Sequence, residues 1–369
     1  MMEGSDTMIC IVTPSEKNGG ILQFAITFTA AVKAAQQCVL FVPDTVDEAM
    51  LAGLDGCCRP YKKVKTMNMH HAGVLALRDQ ILEQQPEHVI FVEDSILMQQ
   101  LCCLLRAKGI PSSVIVHDTV SHPSNQRTLR QNVVEFLRQR FTKKMLRKAE
   151  NIILLSNHSK KEFDSRHKKR KAKTLVMRLG AHVPAAEPVC PAEMAEEKEE
   201  YLLFFGRIDK YKGIEDLCRA YCKISSDIQK KLKLVIAGNG EFSPEEKTFI
   251  RENPNIIPIN RFVEDGEMLW MMEHTRLVVL PYIEATQSGV LPIAYHYGKP
   301  AVIRDLPGLV ENAEPGKTAL VFDTWQELTG ILEKTGTGEL RLMAEDVCRF
   351  YSENYCWNKN VQTLLEQLI

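Results

Sequence analysis

No stretch of about 20 consecutive apolar residues occurs in the sequence, so no transmembrane helix is expected. The most apolar early run, residues 20–42, is broken by Gln23, Lys33, Gln36 and Gln37, and reads as a helix followed by a strand. No secretory leader is expected either. Met1 to Asp6 is polar and acidic, without a basic n-region. Neither sign of charge is in excess: the formal net charge is -1. That excludes polyanion binding by bulk electrostatics, and no nucleic-acid partner is expected. The 11 cysteines contain no CxxC pair. An odd number without a leader argues for reduced thiols in a cytoplasmic protein. Cys218 and Cys222 can share a helix face, but no second ligand pair accompanies them, so they read as buried thiols. The GxGxxG fingerprint is absent, which counts against a nicotinamide enzyme. No Asp-x-Asp is placed to hold a metal.

What is present is ordinary for a globular chain: 45% hydrophobic and 25% charged residues over 369 positions. At roughly 100–200 residues per domain, that length implies two domains. The first half alternates short apolar runs with helical spacing. Strands are expected at Met8–Thr13, Cys38–Val42, His88–Val92, Ser113–Val116, Asn151–Leu155 and Thr174–Met177, with a helix over Ile21–Ala35. Runs of about five residues suit parallel strands buried on both faces. Pro184, Pro188 and Pro191, followed by the acidic run Glu196–Glu200, have a linker's composition. The second half repeats the logic, with strands at Tyr201–Phe205, Leu232–Ala237, Ile256–Ile259, Leu277–Leu280 and Pro300–Ile303 and a helix over Ile214–Ser225. The expected organisation is α/β, with two Rossmann-like doubly wound sheets in tandem. The first domain covers 1–186, a linker 187–200, the second domain 201–345, and a helical tail 346–369.

Ligands of such sheets sit at the carboxyl ends of strands. After the first strand come Asn18, Gly19 and Gly20, then a helix. Adjacent glycines there let backbone N–H groups approach an anion, or simply make the turn. His117 follows the Ser113–Val116 strand, with Asp118 next. It either offers a hydrogen bond or a proton to a ligand, or caps the strand end. After Tyr201–Phe205 comes Gly206-Arg207-Ile208-Asp209-Lys210-Tyr211-Lys212-Gly213. Arg207 leaves the strand end and Lys212 precedes the next helix, so two cations stand beside a helix N-terminus that already favours an anion. A diphosphate leaving group accumulates charge as its bond to a sugar breaks, and fixed cations lower that barrier. After Leu277–Leu280, the segment Glu284-Ala285-Thr286-Gln287-Ser288-Gly289 opens a helix expected to start near Gln287. Thr286, Gln287, Ser288 and Gly289 suit close phosphate approach, and Glu284 suits sugar or ribose hydroxyls. Thr286 or Ser288 can also serve as an ordinary N-cap.

At these residues the sequence resembles retaining glycosyltransferases of the GT-B fold, glycosyltransferase family 4, in a Thr-Gln-Ser-Gly subgroup. The segments that carry the likeness are "LLFFGRIDKYKGIEDL", "LKLVIAGNGE", "VVLPYIEATQSGVLPIAYHYGKPAVIRDLPGLVE" and "YCWNKNVQTLLEQL". Their order is specific, and the likeness runs over nearly the whole chain. The resemblance implies two domains facing across a cleft, with the last helix crossing back to the first domain. It implies that Arg207 and Lys212 hold the donor diphosphate, with Gly206 beside them, and that His117 lies near the transferred sugar. Gly19 and Gly20 would form the glycine loop above the donor phosphates or acceptor. Many members carry two glutamates seven residues apart at the donor helix. Here Ile293 stands at the second glutamate's place, and Glu284 is offset by about one position. The nucleotide base is therefore left open.

The implied activity is hexose transfer from a nucleotide-sugar co-substrate to a glycan or lipid-linked acceptor, as in cell-surface polysaccharide assembly. No metal and no other cofactor is expected, because the Arg–Lys pair would replace a divalent cation. Two alternatives stay open. A sugar-nucleotide epimerase of the same fold needs acid and base carboxylates, and only Glu284 is so placed. A catalytically silent nucleotide-sugar-binding subunit is favoured by the missing glutamate and opposed by Arg207 and Lys212.

Residues 127–173 are strongly basic. Arg138, Arg140, Lys143, Lys144, Arg147 and Lys148 alternate with Phe136, Leu137, Phe141, Met145 and Leu146, and Lys168–Lys171 follow. Such a stretch fits either an anionic membrane surface at the cytoplasmic face or a solvated helix whose apolar side enters the core.

Overall fold

The computed structural model describes residues 8–16, 20–54, 56–64, 68–117, 145–168, 170–197, 199–285, 287–335 and 337–368. The chain divides into two units. One combines Met1–Leu179 with Trp357–Ile369, and the other is Gly180–Cys356.

The first unit is built on seven parallel strands: β1 (Ile9–Val12), β2 (Cys38–Pro43), β3 (Cys58–Tyr61), β4 (His88–Phe91), β5 (Ser112–Val116), β6 (Asn151–Leu154) and β7 (Lys173–Val176). They pair in the order β3-β2-β1-β4-β5-β6-β7. Alternation explains why the central strands are apolar throughout. Cys10 and Val12 of β1 enter one core layer and Ile9 and Ile11 the opposite one. Both faces are covered, so both sets of side chains must be apolar. Strand β3, which the sequence pattern did not reveal, is an edge strand with the sequence Cys-Arg-Pro-Tyr. An edge position tolerates Pro60, which has no N–H to donate.

The core of this unit contains one polar cluster at the amino ends of its strands. Asn151 Nδ2 donates to Ser113 Oγ at 3.1 Å, and Ser113 Oγ lies 2.8 Å from His88 Nε2. The hydroxyl has two lone pairs and one proton, so the direction of the His88 contact follows the imidazole tautomer. Burial decides the charge, pulling the imidazole down to about 4 from 6.5 and leaving it neutral. Neutral His88 contributes its full stability above pH 6.5 and loses it as pH falls through about 4. The expected loss between about pH 7 and about pH 4.5 is roughly 2–3 kcal/mol. Urea midpoints at those two pH values should differ by less in His88→Asn than in the wild type. An unchanged difference would refute the assignment.

The second unit has six parallel strands: β8 (Glu200–Phe205), β9 (Leu232–Gly238), β10 (Ile256–Asn260), β11 (Leu277–Leu280), β12 (Ala301–Arg304) and β13 (Ala319–Phe322). Their order is β10-β9-β8-β11-β12-β13. In each sheet the order reverses beside the first strand. Successive connections then leave in opposite directions, which opens a crevice between the loops after β1 and β4, and between those after β8 and β11. Three helices of this unit start in capping boxes, Ser243 with Glu246, Glu264 with Glu267 and Thr324 with Glu327. Each box satisfies N–H groups that the first helical turn leaves open.

The unit boundaries correct the sequence reading in three places. The first unit ends at Leu179 rather than 186. The supposed linker 187–200 is packed structure of the second unit. Val189 N–H donates to Gly266 O at 2.9 Å, Met194 is buried in the core, and Glu193 pairs with Arg261 at 2.8 Å. The tail divides at 356/357 rather than entering one domain as 346–369. Helix Thr337–Asn354 belongs to the second unit and helix Trp357–Leu368 to the first. Val361, Leu364 and Leu365 sink the latter into the Ile9–Ile11 face, Trp357 meets Phe24 edge-on at 5.4 Å, and Asn360 donates to the Arg178 carbonyl. The helix expected over Ile214–Ser225 stops at Tyr221.

Candidate active site

In the second unit, β8 and β11 are neighbours, so the segments that follow them meet at the point where strand order reverses. Three glycines bring these segments together at backbone distance. A Cβ on Gly238 would stand 1.9 Å from the Gly206 carbonyl oxygen, and one on Gly213 would stand 1.9 Å from that of Pro281. Their φ angles of +149° and +68° lie where side chains are strained. Gly240, at the isolated bridge with Ile208, is equally confined. Gly206 N–H donates to Ala237 O and Ile283 N–H to Tyr211 O, at 3.0 and 2.7 Å. The loops after β8, β9 and β11 therefore form one hydrogen-bonded rim.

The cations predicted from sequence stand on that rim. Arg207 is exposed just past β8. Lys212 ends a short 3-10 turn, Lys210–Lys212, and Gly213 leads directly into helix Ile214–Tyr221. Lys212 Nζ lies 3.6 Å from the centroid of the Tyr282 ring and 4.9 Å from that of Tyr211. Among the described residues neither cation enters an ion pair. Burial pulls the Lys212 ammonium down to about 8, Arg207 pushes the same way, and Asp209 opposes both. Two unneutralised positive groups beside a helix start make a site for an anion of high charge density.

The segment after β11 corrects one expectation. Its helix spans Val290–His296, so it begins past Gln287, and Gly289 precedes it without a side-chain cap. Ser288 Oγ accepts from Val290 N–H at 3.2 Å and lies 3.5 Å from the Tyr282 hydroxyl. Ser288 thus does the local capping work, and Glu284 is exposed on the same segment. Thr286 lies outside the described residues.

In the first unit, His117 follows β5 and Gly20 starts helix Gly20–Lys33. Gly19 and Asp118 lie outside the described residues. The His117 ring meets Phe24 of that helix edge-on at 4.8 Å, and its Nε2 donates to the Val92 carbonyl at 2.8 Å. His117 is therefore anchored to the end of β4, at this sheet's own reversal point. The basic stretch is described only from Met145. Met145 and Leu146 are buried in the core while Arg147 and Lys148 are exposed. The rest of the residues expected to form that helix, from Phe136 to Lys144, lie outside the described residues.

Two features of the site escaped sequence reading. Tyr282 carries no motif signal, because its partner Lys212 is 70 positions away and meets it only through the β8–β11 pairing. Arg304, the last residue of β12, pairs with Asp216 in the first turn of helix Ile214–Tyr221. A charged residue closing an otherwise apolar strand was the available signal.

Comparison with known proteins shows a matching segment and a shared fold. Residues 199–334 match the family model described as "Glycosyl transferases group 1". An uncharacterized glycosyltransferase of Methanocaldococcus jannaschii is 25% identical over 167 residues, 44% of this chain and 43% of that protein. The glycogen synthase of Thermus thermophilus is 26% identical over 169 residues, 42% of this chain and 38% of its own length. The matched region is thus less than half of either relative. Among solved structures, Anabaena HepE in complex with UDP-glucose superposes with a TM-score of 0.72 at 16% identity, covering 98% of this chain and 99% of that one. Sucrose-phosphate synthase from Thermosynechococcus elongatus gives 0.70 at 15% identity, covering 98% of both chains. The chain has the two-sheet α/β fold of these GT-B glycosyltransferases, and its residues 199–334 carry a group 1 glycosyl transferase segment.

Proposed function

We propose that the protein is a retaining glycosyltransferase that moves a hexose from a nucleoside-diphosphate sugar, with UDP as the first nucleotide to test, to a glycan or lipid-linked acceptor. The observation that carries the reading is the Arg207–Lys212 pair, two cations without an ion-pair partner among the described residues at the reversal point of the second sheet. As the sugar–phosphate bond lengthens, negative charge builds on the leaving diphosphate. Two positive groups already in place stabilise that charge without reorganisation. They do the work a divalent cation does elsewhere, so transfer proceeds without metal. Ser288, Gln287 and Gly289 line the donor side, and Glu284 accepts from sugar hydroxyls. In the first unit, His117 after β5 and Gly20 after β1 are the residues we assign to contact with the sugar. Same-face attack with the leaving phosphate as proton acceptor gives retention and needs no side-chain nucleophile.

The test is a panel of nucleotide sugars screened first for thermal stabilisation and then for turnover in EDTA. A donor at about 100 times its Kd should stabilise the fold by roughly 2.7 kcal/mol. Binding without transfer or hydrolysis would instead identify a nucleotide-sugar-binding subunit, and no binding by any donor would refute the reading.

The basic face of the first unit supports a membrane-side location for the same activity. Exposed Arg147 and Lys168 border a cavity of about 590 Å³ that Arg166 and Arg170 also line. Basic side chains near an anionic surface contribute about 1 kcal/mol each, screened by salt. Cosedimentation with anionic vesicles should be strong at low salt and weak at high salt. Partitioning that ignores lipid charge would remove the membrane from the proposal.

A further inference from the structure

The rim after β8 holds an arrangement that the diphosphate reading does not require. Lys212 is flanked by two aromatic rings from different segments. Tyr211 precedes it in the same turn, and Tyr282 comes from the segment after β11. Its ammonium stands only 3.6 Å from the Tyr282 centroid, well inside the range over which a ring face attracts a cation. Tyr282 is itself immobile. It is 1% exposed, its hydroxyl lies against Ser288, and its chain neighbours are held by the Ile283–Tyr211 hydrogen bond and by the Gly213–Pro281 approach. A lysine stem has four rotatable bonds and samples many positions unless something holds its end. Here a fixed ring face does so, and among the described residues no carboxylate forms an ion pair with the ammonium, although the Asp209 charge acts on it.

We propose that Tyr282 is a positioning residue for Lys212: its ring face, rather than its hydroxyl, fixes the ammonium at the anion-binding turn after β8. This rests on the donor-diphosphate reading of the same turn. A carboxylate in this position would hold the lysine equally well but would cancel its charge. A ring holds it and leaves the charge for the ligand.

The arrangement has a thermodynamic consequence. The groups that act on Lys212 are Arg207 and Asp209 from its own loop, with the rings of Tyr211 and Tyr282 against it. Burial and Arg207 bring Lys212 down to about 8. Roughly a quarter of it is then neutral at about pH 7.5 and three-quarters at about pH 8.5. A bound diphosphate favours the charged form, so binding draws a proton onto Lys212, and more of it at the higher pH.

UDP binding measured by calorimetry in two buffers of different ionisation enthalpy tests both points. The wild type should take up protons on binding UDP, several-fold more at about pH 8.5 than at about pH 7.5. Tyr282→Phe keeps the ring and should retain both affinity and proton uptake. Tyr282→Leu should bind UDP about tenfold more weakly while circular dichroism shows an intact fold. Wild-type affinity in a folded Leu variant would overturn the proposal. If the Leu variant does not fold, the Phe variant decides: a tenfold loss of affinity in it overturns the proposal, because the ring alone would then not hold the ammonium. Failure of the wild type to bind UDP at all would overturn the donor reading itself, and this inference with it.

Discussion

Arg207→Ala and Lys212→Ala are each expected to lower turnover by about a hundredfold or more, with melting temperatures within a few degrees of the wild type. The two halves of this result have separate causes. Arg207 is exposed and Lys212 is half-buried, and among the described residues neither enters an ion pair, so removing either leaves no buried charge unpaired. Stability is little affected for that reason. Turnover falls because each cation acts on charge that appears mainly in the transition state. The loss should therefore fall on kcat as well as on donor affinity. Lys212→Arg keeps the charge and can stack on Tyr282, but its longer, planar head places that charge differently from an ammonium, so it should rescue only in part. Assays at saturating donor, with thermal melts alongside, decide the matter. Near-normal turnover in either alanine variant would remove that residue from the proposed mechanism.

Gly238→Ala is expected to be among the most damaging small substitutions in the second unit. The added Cβ would stand 1.9 Å from the Gly206 carbonyl oxygen and 2.7 Å from its carbon, both backbone atoms. Nothing flexible is available to move aside. The φ of +149° adds strain of its own. Relief requires β8 and β9 to separate at their carboxyl ends, which breaks the Gly206–Ala237 hydrogen bond and shifts the turn that carries Arg207. A cost of about 3 kcal/mol or more follows, which for a unit of this size lowers the melting temperature by roughly 6–12 °C. Gly206→Ala provides the contrast. Its φ is +137°, but a Cβ there meets nothing within 4 Å, so backbone strain alone acts and the loss should be smaller. Calorimetric melts of the two variants check the ordering, and equal losses would show that the close approach does not matter.

The membrane and acceptor expectations draw on the part of the chain least informative from composition alone. A basic segment with interspersed apolar residues reads the same whether its apolar side meets a lipid surface or a core. For Met145 and Leu146 the tertiary structure answers: both are buried in the first unit's core. Arg147 and Lys148 are exposed, which both readings require.

The α/β class and most of the strands could be read from residue pattern alone, because a strand covered on both faces must be apolar at every position. Leu277–Leu280 was legible to the residue for that reason, and β1, β4 and β6 to within one residue at each end. Residue order also shows where cations follow a strand and precede a helix, since Arg207 and Lys212 are neighbours along the chain. Of the four edge strands, β7 and β10 were legible and β3 and β13 were not. An edge strand is relieved of the demands that make central strands conspicuous, and β3 uses that freedom for Arg59 and Pro60. Residues 187–200 read as a tether and form a packed strip instead. Prolines and acids suit both, and the outcome rests on distant partners, Gly266 for Val189 and Arg261 for Glu193. The same holds for the site. Local sequence placed two cations at a strand end, but the tertiary structure alone decided that β8 and β11 would be neighbours. That adjacency presses Gly213 against Pro281 and sets the Lys212 ammonium on the Tyr282 ring, contacts between segments that no local pattern encodes.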